Sequence, residues 1–260
     1  MSELLFASPT VLSVTAATAT AIAAGLLGVF LVLRNMALVS DALSHVALPG
    51  IALGLTLGIN PFWGAFAFLF AASFLILGIE KRTNLPADAI VGVIFTASLA
   101  TGILLTPEPE LLEALFGDFT KISSAGTWLT VALSIAIVAV TLASTRSLLF
   151  GIVAPDLGHV SRSRSQLAYL VFLIMLSLVV ALGVKFVGTL LMGTLTIIPA
   201  AAAKNVSRTL RQFMLISVVF AALAVLLGMG AASVWGVIAG PAIILSGVAI
   251  FLVTLAFARH

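Results

Sequence analysis

Cysteine is absent from the 260 residues, which excludes disulfides and thiolate metal sites. Charge is scarce as well. Asp, Glu, Lys and Arg make up 8% of the chain, where soluble domains run near a quarter. Hydrophobic residues reach 62%, so there is too little polar surface to keep the chain in water. No long polar stretch interrupts them. The longest, Thr106 to Gly126 and Ser144 to Gln166, are too short to fold alone, so residues 1–260 read as a single transmembrane domain. No tandem repeat or low-complexity tract is evident. The chain also lacks the Gly-x-x-x-x-Gly-Lys-[Ser/Thr] loop that cradles nucleotide phosphates. It therefore does not hydrolyse ATP itself, and no enzymatic activity is expected. The net charge of +3 is small, and no nucleic-acid partner is expected.

Long apolar runs fill the chain instead. A bilayer core about 30 Å thick needs about 20 apolar residues per helix, and only helices or closed barrels satisfy the backbone in lipid. These runs are too unbroken for the alternation of barrel strands. The expected fold is all-α, a polytopic transmembrane bundle of eight or nine spans. The segments are Val11 to Leu33, Ala37 to Leu57, Phe62 to Ile79, Ala87 to Leu105, Trp128 to Ala143, Leu167 to Leu182, Val184 to Ala203, Phe213 to Ala232 and Gly240 to Ala258. The sixth and seventh almost touch, so one broken helix would reduce nine to eight. Met1 to Pro9 has no positive n-region, so the first segment reads as a retained helix.

Basic residues test this layout, because cytoplasmic loops carry the excess of Lys and Arg. With nine spans and the N-terminus outside, the inner side holds Arg34, Lys81, Arg82, Arg146, Arg162, Arg164, Lys204, Arg208, Arg211 and Arg259. The outer side holds Lys121 and Lys185, with the acids Glu108, Glu110, Glu113 and Asp118 between the fourth and fifth segments. Those acids either attract cations toward the outer entrance, help dock a binding protein, or form a merely solvated loop.

One motif carries chemistry. Asp41-Ala-Leu-Ser-His45 lies inside the second segment, where an Asp costs about 2.5–3.5 kcal/mol on insertion scales. Residues four apart share a helical face. Carboxylate plus imidazole suits zinc, manganese or ferrous iron, and the lack of sulfur disfavours copper(I). Asp41 and His45 lie seven and eleven residues beyond Arg34, roughly 10 and 16 Å into the core at 1.5 Å per residue. Pro49 deprives the His45 carbonyl of its helical donor, leaving either an oxygen ligand or a kink. Three readings of the pair stand open on chemistry alone: metal site, structural hydrogen-bonded pair, and proton path of a secondary transporter. An intramembrane metalloprotease would need a His-Glu-x-x-His ligand set, which is missing. Two side chains are too few for a tight metal site, and a two-fold dimer would double them. Gly50, Gly54 and Gly58 form a small-residue series suited to close helix packing.

Leu33-Arg34-Asn35-Met36-Ala37 followed by Asp41-Ala-Leu-Ser-His45-Val-Ala-Leu-Pro49-Gly50-Ile-Ala-Leu-Gly54 resembles the signature of the ABC-type zinc, manganese and iron permeases. Asp88 to Phe95, Leu115-Phe116-Gly117-Asp118 and Val187 to Ala203 are similar to further stretches of that family, in the right order. The resemblance implies a channel-forming subunit in a bacterial or archaeal cell membrane, importing divalent metal. It implies Asp41 and His45 as metal ligands, a second copy of the permease, an extracellular metal-binding protein, and ATP consumed by a separate cytoplasmic subunit. Leu149 to Arg164, notably Ala154-Pro-Asp-Leu-Gly158, resembles the family's contact with that ATPase. Gly151 departs from the acidic residue common there. His159 reads as a solvated loop residue, and His260 is terminal.

Overall fold

A computed structural model describes residues 9–83, 85, 87–106, 112, 114–117, 123–153 and 162–257. The outer acids Glu108, Glu110, Glu113 and Asp118, as well as Lys121, Asp156, Gly158, His159 and His260, lie outside the described residues. Among the described residues nine long helices form and no strand does: α1 (Pro9–Leu33), α2 (Ala37–Thr56), α3 (Pro61–Arg82), α4 (Ala87–Leu105), α5 (Ser124–Val153), α6 (Arg162–Val187), α7 (Thr189–Val206), α8 (Leu210–Trp235) and α9 (Ala239–Leu255).

Six of them, α1, α2, α3, α5, α6 and α8, contain stretches long and apolar enough to cross a membrane. Two more, in α4 and α9, are apolar but shorter. The sequence expectation of nine segments is met as helices. Several boundaries differ by three to five residues, and two differences matter most. α5 runs ten residues past its expected end, to Val153, because the stretch from Ser144 holds no proline before Pro155 and a single glycine, Gly151, at its tolerable cost of about 1 kcal/mol. α6 and α7 are separate helices joined by one residue, Gly188, whose φ is +80°. Only glycine adopts such a backbone freely.

Small residues set the inner packing. Lipid tails are as apolar as leucine, so membrane helices associate by close approach rather than by hydrophobic exclusion. Ala16, Ala21, Ala23 and Ala24 of α1 are fully buried. The Ser217 hydroxyl of α8 donates 2.7 Å to the Gly25 carbonyl, and a Cβ at Gly25 would stand 2.8 Å from that of Ala221. Ser73 of α3 and Ser177 of α6 are 2.8 Å apart and both reach the Leu69 carbonyl. Such interhelical bonds contribute about 0.6 kcal/mol each. Outward faces carry large exposed apolar residues, among them Phe74, Val93, Leu104, Ile135 and Leu245, as lipid contact requires.

The two ends of the bundle are chemically distinct. At one end the α1–α2 turn passes through Asn35, at φ +56°. It projects the Arg34 guanidinium over the Tyr169 ring at the start of α6, 4.1 Å from its centroid. Burial pulls the Arg34 pKa below its usual value, while Tyr169 and Glu80 of α3 pull it back up. The Tyr169 hydroxyl lies 4.0 Å from Met36 Sδ. At the other end Lys185, closing α6, lies 5.1 Å over the Phe62 ring that opens α3. This antiparallel alternation is the one required of consecutive spans.

Candidate metal site

α2 is the most enclosed of the six spanning helices and the least hydropathic. It packs against α3, α4, α7, α6 and α1. Those two properties belong together, since polar side chains are tolerated in a bilayer only where protein shields them from lipid. Every residue from Ala42 to Gly50 is buried.

His45 is 6% exposed, and its Nδ1 is buried without a hydrogen-bond partner. A buried imidazole nitrogen left unpaired is costly, a cost that a bound ligand would remove. Its ring meets Phe95 of α4 edge-on, centroids 5.0 Å apart at 75°. Asp41, one turn earlier, stays half-buried. The pair therefore combines an enclosed nitrogen with a carboxylate that open space can still reach.

Gly193 of α7 supports Asp41 from behind. A Cβ at Gly193 would contact the Asp41 Cα and stand 2.7 Å from its Cβ and backbone N. Glycine alone lets α7 come this close. Ser44 adds a polar tie, with its hydroxyl 2.6 Å from both the Asp41 and the Thr189 carbonyl oxygens. It shares one proton between the two, joining α2 to the first residue of α7. The hydroxyls of Ser40 and Thr189 are buried without partners. Gly188 is held too, because a Cβ there would meet the Leu115 carbonyl and stand 2.6 Å from the Phe116 carbonyl carbon.

The glycine series of α2 divides. Gly50 packs against the backbone of Gly64, and Gly54 approaches Pro61, where a Cβ would be 3.0 Å from its Cα. Both face α3. Gly58 does not take part. It follows the helix end at φ +68°, with nothing within 4 Å of its Cβ direction. Pro49 lies inside α2 without ending it, and Gly102 of α4 packs against its ring, where a Cβ would stand 3.3 Å from the Pro49 Cδ.

Among the described residues no three His, Cys, Asp or Glu side chains gather into a metal-binding group. One chain thus offers two candidate ligands, Asp41 and His45, short of the three or four that a protein metal site needs. Phe95, Gly193, Ser44 and Thr189 had no role assigned from sequence. All four fall within the stretches similar to the metal permeases, which was the available signal.

Comparison with known proteins follows the same lines. The manganese import system permease protein ScaB of Streptococcus parasanguinis is 33% identical over 242 residues, spanning 92% of this chain and 86% of that one. The high-affinity zinc uptake system membrane protein ZnuB of Haemophilus influenzae is 31% identical over 235 residues, 88% of this chain and 90% of that one. A chain in the solved structure of PsaBC from Streptococcus pneumoniae in complex with Fab matches with a TM-score of 0.83 at 29% identity, covering 94% of this chain and 89% of that one. A putative metal-chelate type ABC transporter in an inward-facing conformation matches at 18% identity with a TM-score of 0.72, a likeness of fold. The family model described as the ABC 3 transport family matches residues 9–258. The chain is a multi-pass membrane protein and belongs to the ABC 3 transport family.

Proposed function

We propose that this chain is the permease subunit of an ATP-driven importer of divalent metal, with Asp41 and His45 as half of its transport site. It is a channel component and not an enzyme. Relatives named for manganese and for zinc support those two cargoes, and the carboxylate–imidazole chemistry suits both. Iron fits the same ligands.

The observation that carries the site is the unpartnered Nδ1 of His45, buried one turn from a half-exposed carboxylate on the most enclosed spanning helix. A divalent ion would satisfy the nitrogen and neutralise the charge that is costly in lipid. A second copy of the permease, paired about a two-fold axis, brings the ligands to two Asp and two His. The described unit works as one transmembrane domain of eight or nine spans in the cell membrane. Leu149 to Arg164 faces the cytoplasm and meets the ATPase, and an extracellular protein delivers the metal.

The test is uptake of radioactive manganese and zinc by cells expressing the permease with its ATPase and binding protein. Asp41→Ala and His45→Ala abolish uptake while insertion is preserved, since each change relieves an insertion cost. Near-normal uptake by either variant refutes the assignment. Uptake that persists without the ATPase points to a proton-coupled transporter instead.

A further inference from the structure

The ends of α7 and α9 and the turn into α8 border a half-open pocket of about 650 Å³ that the metal path does not use. Its wall includes Lys204, Asn205, Ser207, Arg208 and Phe257. Among the described residues no Asp or Glu lines it. The volume falls in the usual range for small-molecule sites, about 300–1,000 Å³.

The cavity is built on fixed backbone. The Asn205 amide donates 3.2 Å to Thr254 Oγ1, tying the end of α7 to the end of α9. In the turn between α7 and α8, the Arg208 N–H donates 3.1 Å to Gln212 Oε1, while the Gln212 N–H donates 3.2 Å to Thr209 Oγ1. Lys204 and Arg208 add two full positive charges. The C-termini of α7 and α9 oppose them with about half a charge each, and the start of α8 returns about half a positive charge. The sum is about +1.5, so the cavity favours an anion. The exposed ring of Phe257 forms an apolar lip. The spanning helix α8 begins here and the shorter apolar helix α9 ends here, which sets the pocket at the depth of lipid headgroups.

We propose that this cavity seats the phosphate diester headgroup of an anionic phospholipid from the leaflet it faces. The cationic wall takes the phosphate, and the apolar lip leads to the acyl chains. The assignment rests on the membrane orientation proposed above and is independent of Asp41 and His45. Two cations near an anionic surface favour an anionic over a zwitterionic headgroup by about 30-fold.

The experiment uses the permease–ATPase complex in lipid nanodiscs. A Ser207→Cys substitution places the chain's one thiol in the cavity wall. Its reaction with N-ethylmaleimide is followed by the mass of the permease chain. Adding phosphatidylglycerol to phosphatidylcholine discs is expected to slow labelling about fivefold or more, consistent with that preference. The double variant K204Q/R208Q is expected to label at the same rate in both lipids, and R82Q, at another exposed cation, to keep the protection. The charge-preserving pair K204R/R208K is expected to keep it too, separating loss of charge from misfolding. Equal labelling of the parent in both discs overturns the proposal, as does protection surviving in K204Q/R208Q. Protection by millimolar inorganic phosphate in phosphatidylcholine discs assigns the cavity to a soluble anion. Protection that disappears with the ATPase assigns it to a protein contact.

Discussion

Replacing Gly193 with alanine tests whether the backbone of α7 sets the position of Asp41. The new Cβ would stand 2.7 Å from the Asp41 Cβ and would also contact its Cα. Carbon atoms rest at about 3.5–4.0 Å, so the helices must part by about 1 Å at the site. Metal–ligand distances tolerate about 0.2 Å, and a misplacement of about 1 Å costs on the order of 100-fold where geometry matters. Uptake is therefore expected to fall by about that factor. Overpacking itself destabilises by about 1–3 kcal/mol, so a control must carry the same strain elsewhere. Gly228→Ala supplies it, since a Cβ there would stand 2.8 Å from Ile243 Cγ1 at the α8–α9 contact, away from the site. The assay is manganese and zinc uptake normalised to folded permease, measured by fluorescence-detected size exclusion. G193A is expected to lose uptake per folded molecule, and G228A to lose folded yield alone. Uptake by G193A within roughly twofold of the parent would refute a positioning role, given the hundredfold expected.

Ser44→Ala removes the bond to the Thr189 carbonyl and should lower stability by about 1 kcal/mol, read as a lower thermal midpoint with uptake reduced but present. Arg34→Ala strips the cation from the Tyr169 ring at a cost of about 2 kcal/mol. Adding Glu80→Gln should recover part of that loss in a double-variant cycle, because Glu80 would otherwise keep a half-buried charge without its counterpart. Cysteines at Asp156 or Gly158 should crosslink to the ATPase, and labelling of either from outside intact cells would overturn the proposed orientation.

Most of the fold was legible because a bilayer allows one solution to a chain this apolar. Long uncharged runs give helices, and basic residues at alternate connections give their direction. What was harder to read depended on contacts between distant parts of the chain. Ser144 to Ile152 looked like the start of a loop because Arg146 marks a surface, yet no proline stops α5 before Val153 and the helix runs through Gly151. Gly58 looked like one more packing glycine because the spacing of four continues through it, but α2 has already ended at Thr56. At the site, Asp41 and His45 were legible as a pair because the cost of ionisable groups in lipid singles them out. Phe95 and Gly193 were not, because neither residue type announces a role. Only the packing of α4 and α7 on α2 brings them there.

The joint at Gly188 links surface and interior over a short route. The carbonyl of Leu115 fills the space that a side chain at position 188 would occupy. Thr189 is the next residue, its carbonyl takes the Ser44 hydroxyl, and that hydroxyl also reaches the carbonyl of Asp41. Leu115 to Gly117 thus behaves as a keystone rather than as loop, wedged where two helices meet and one hydrogen bond from the helix that bears the carboxylate. Its tolerance for change should resemble that of the interior.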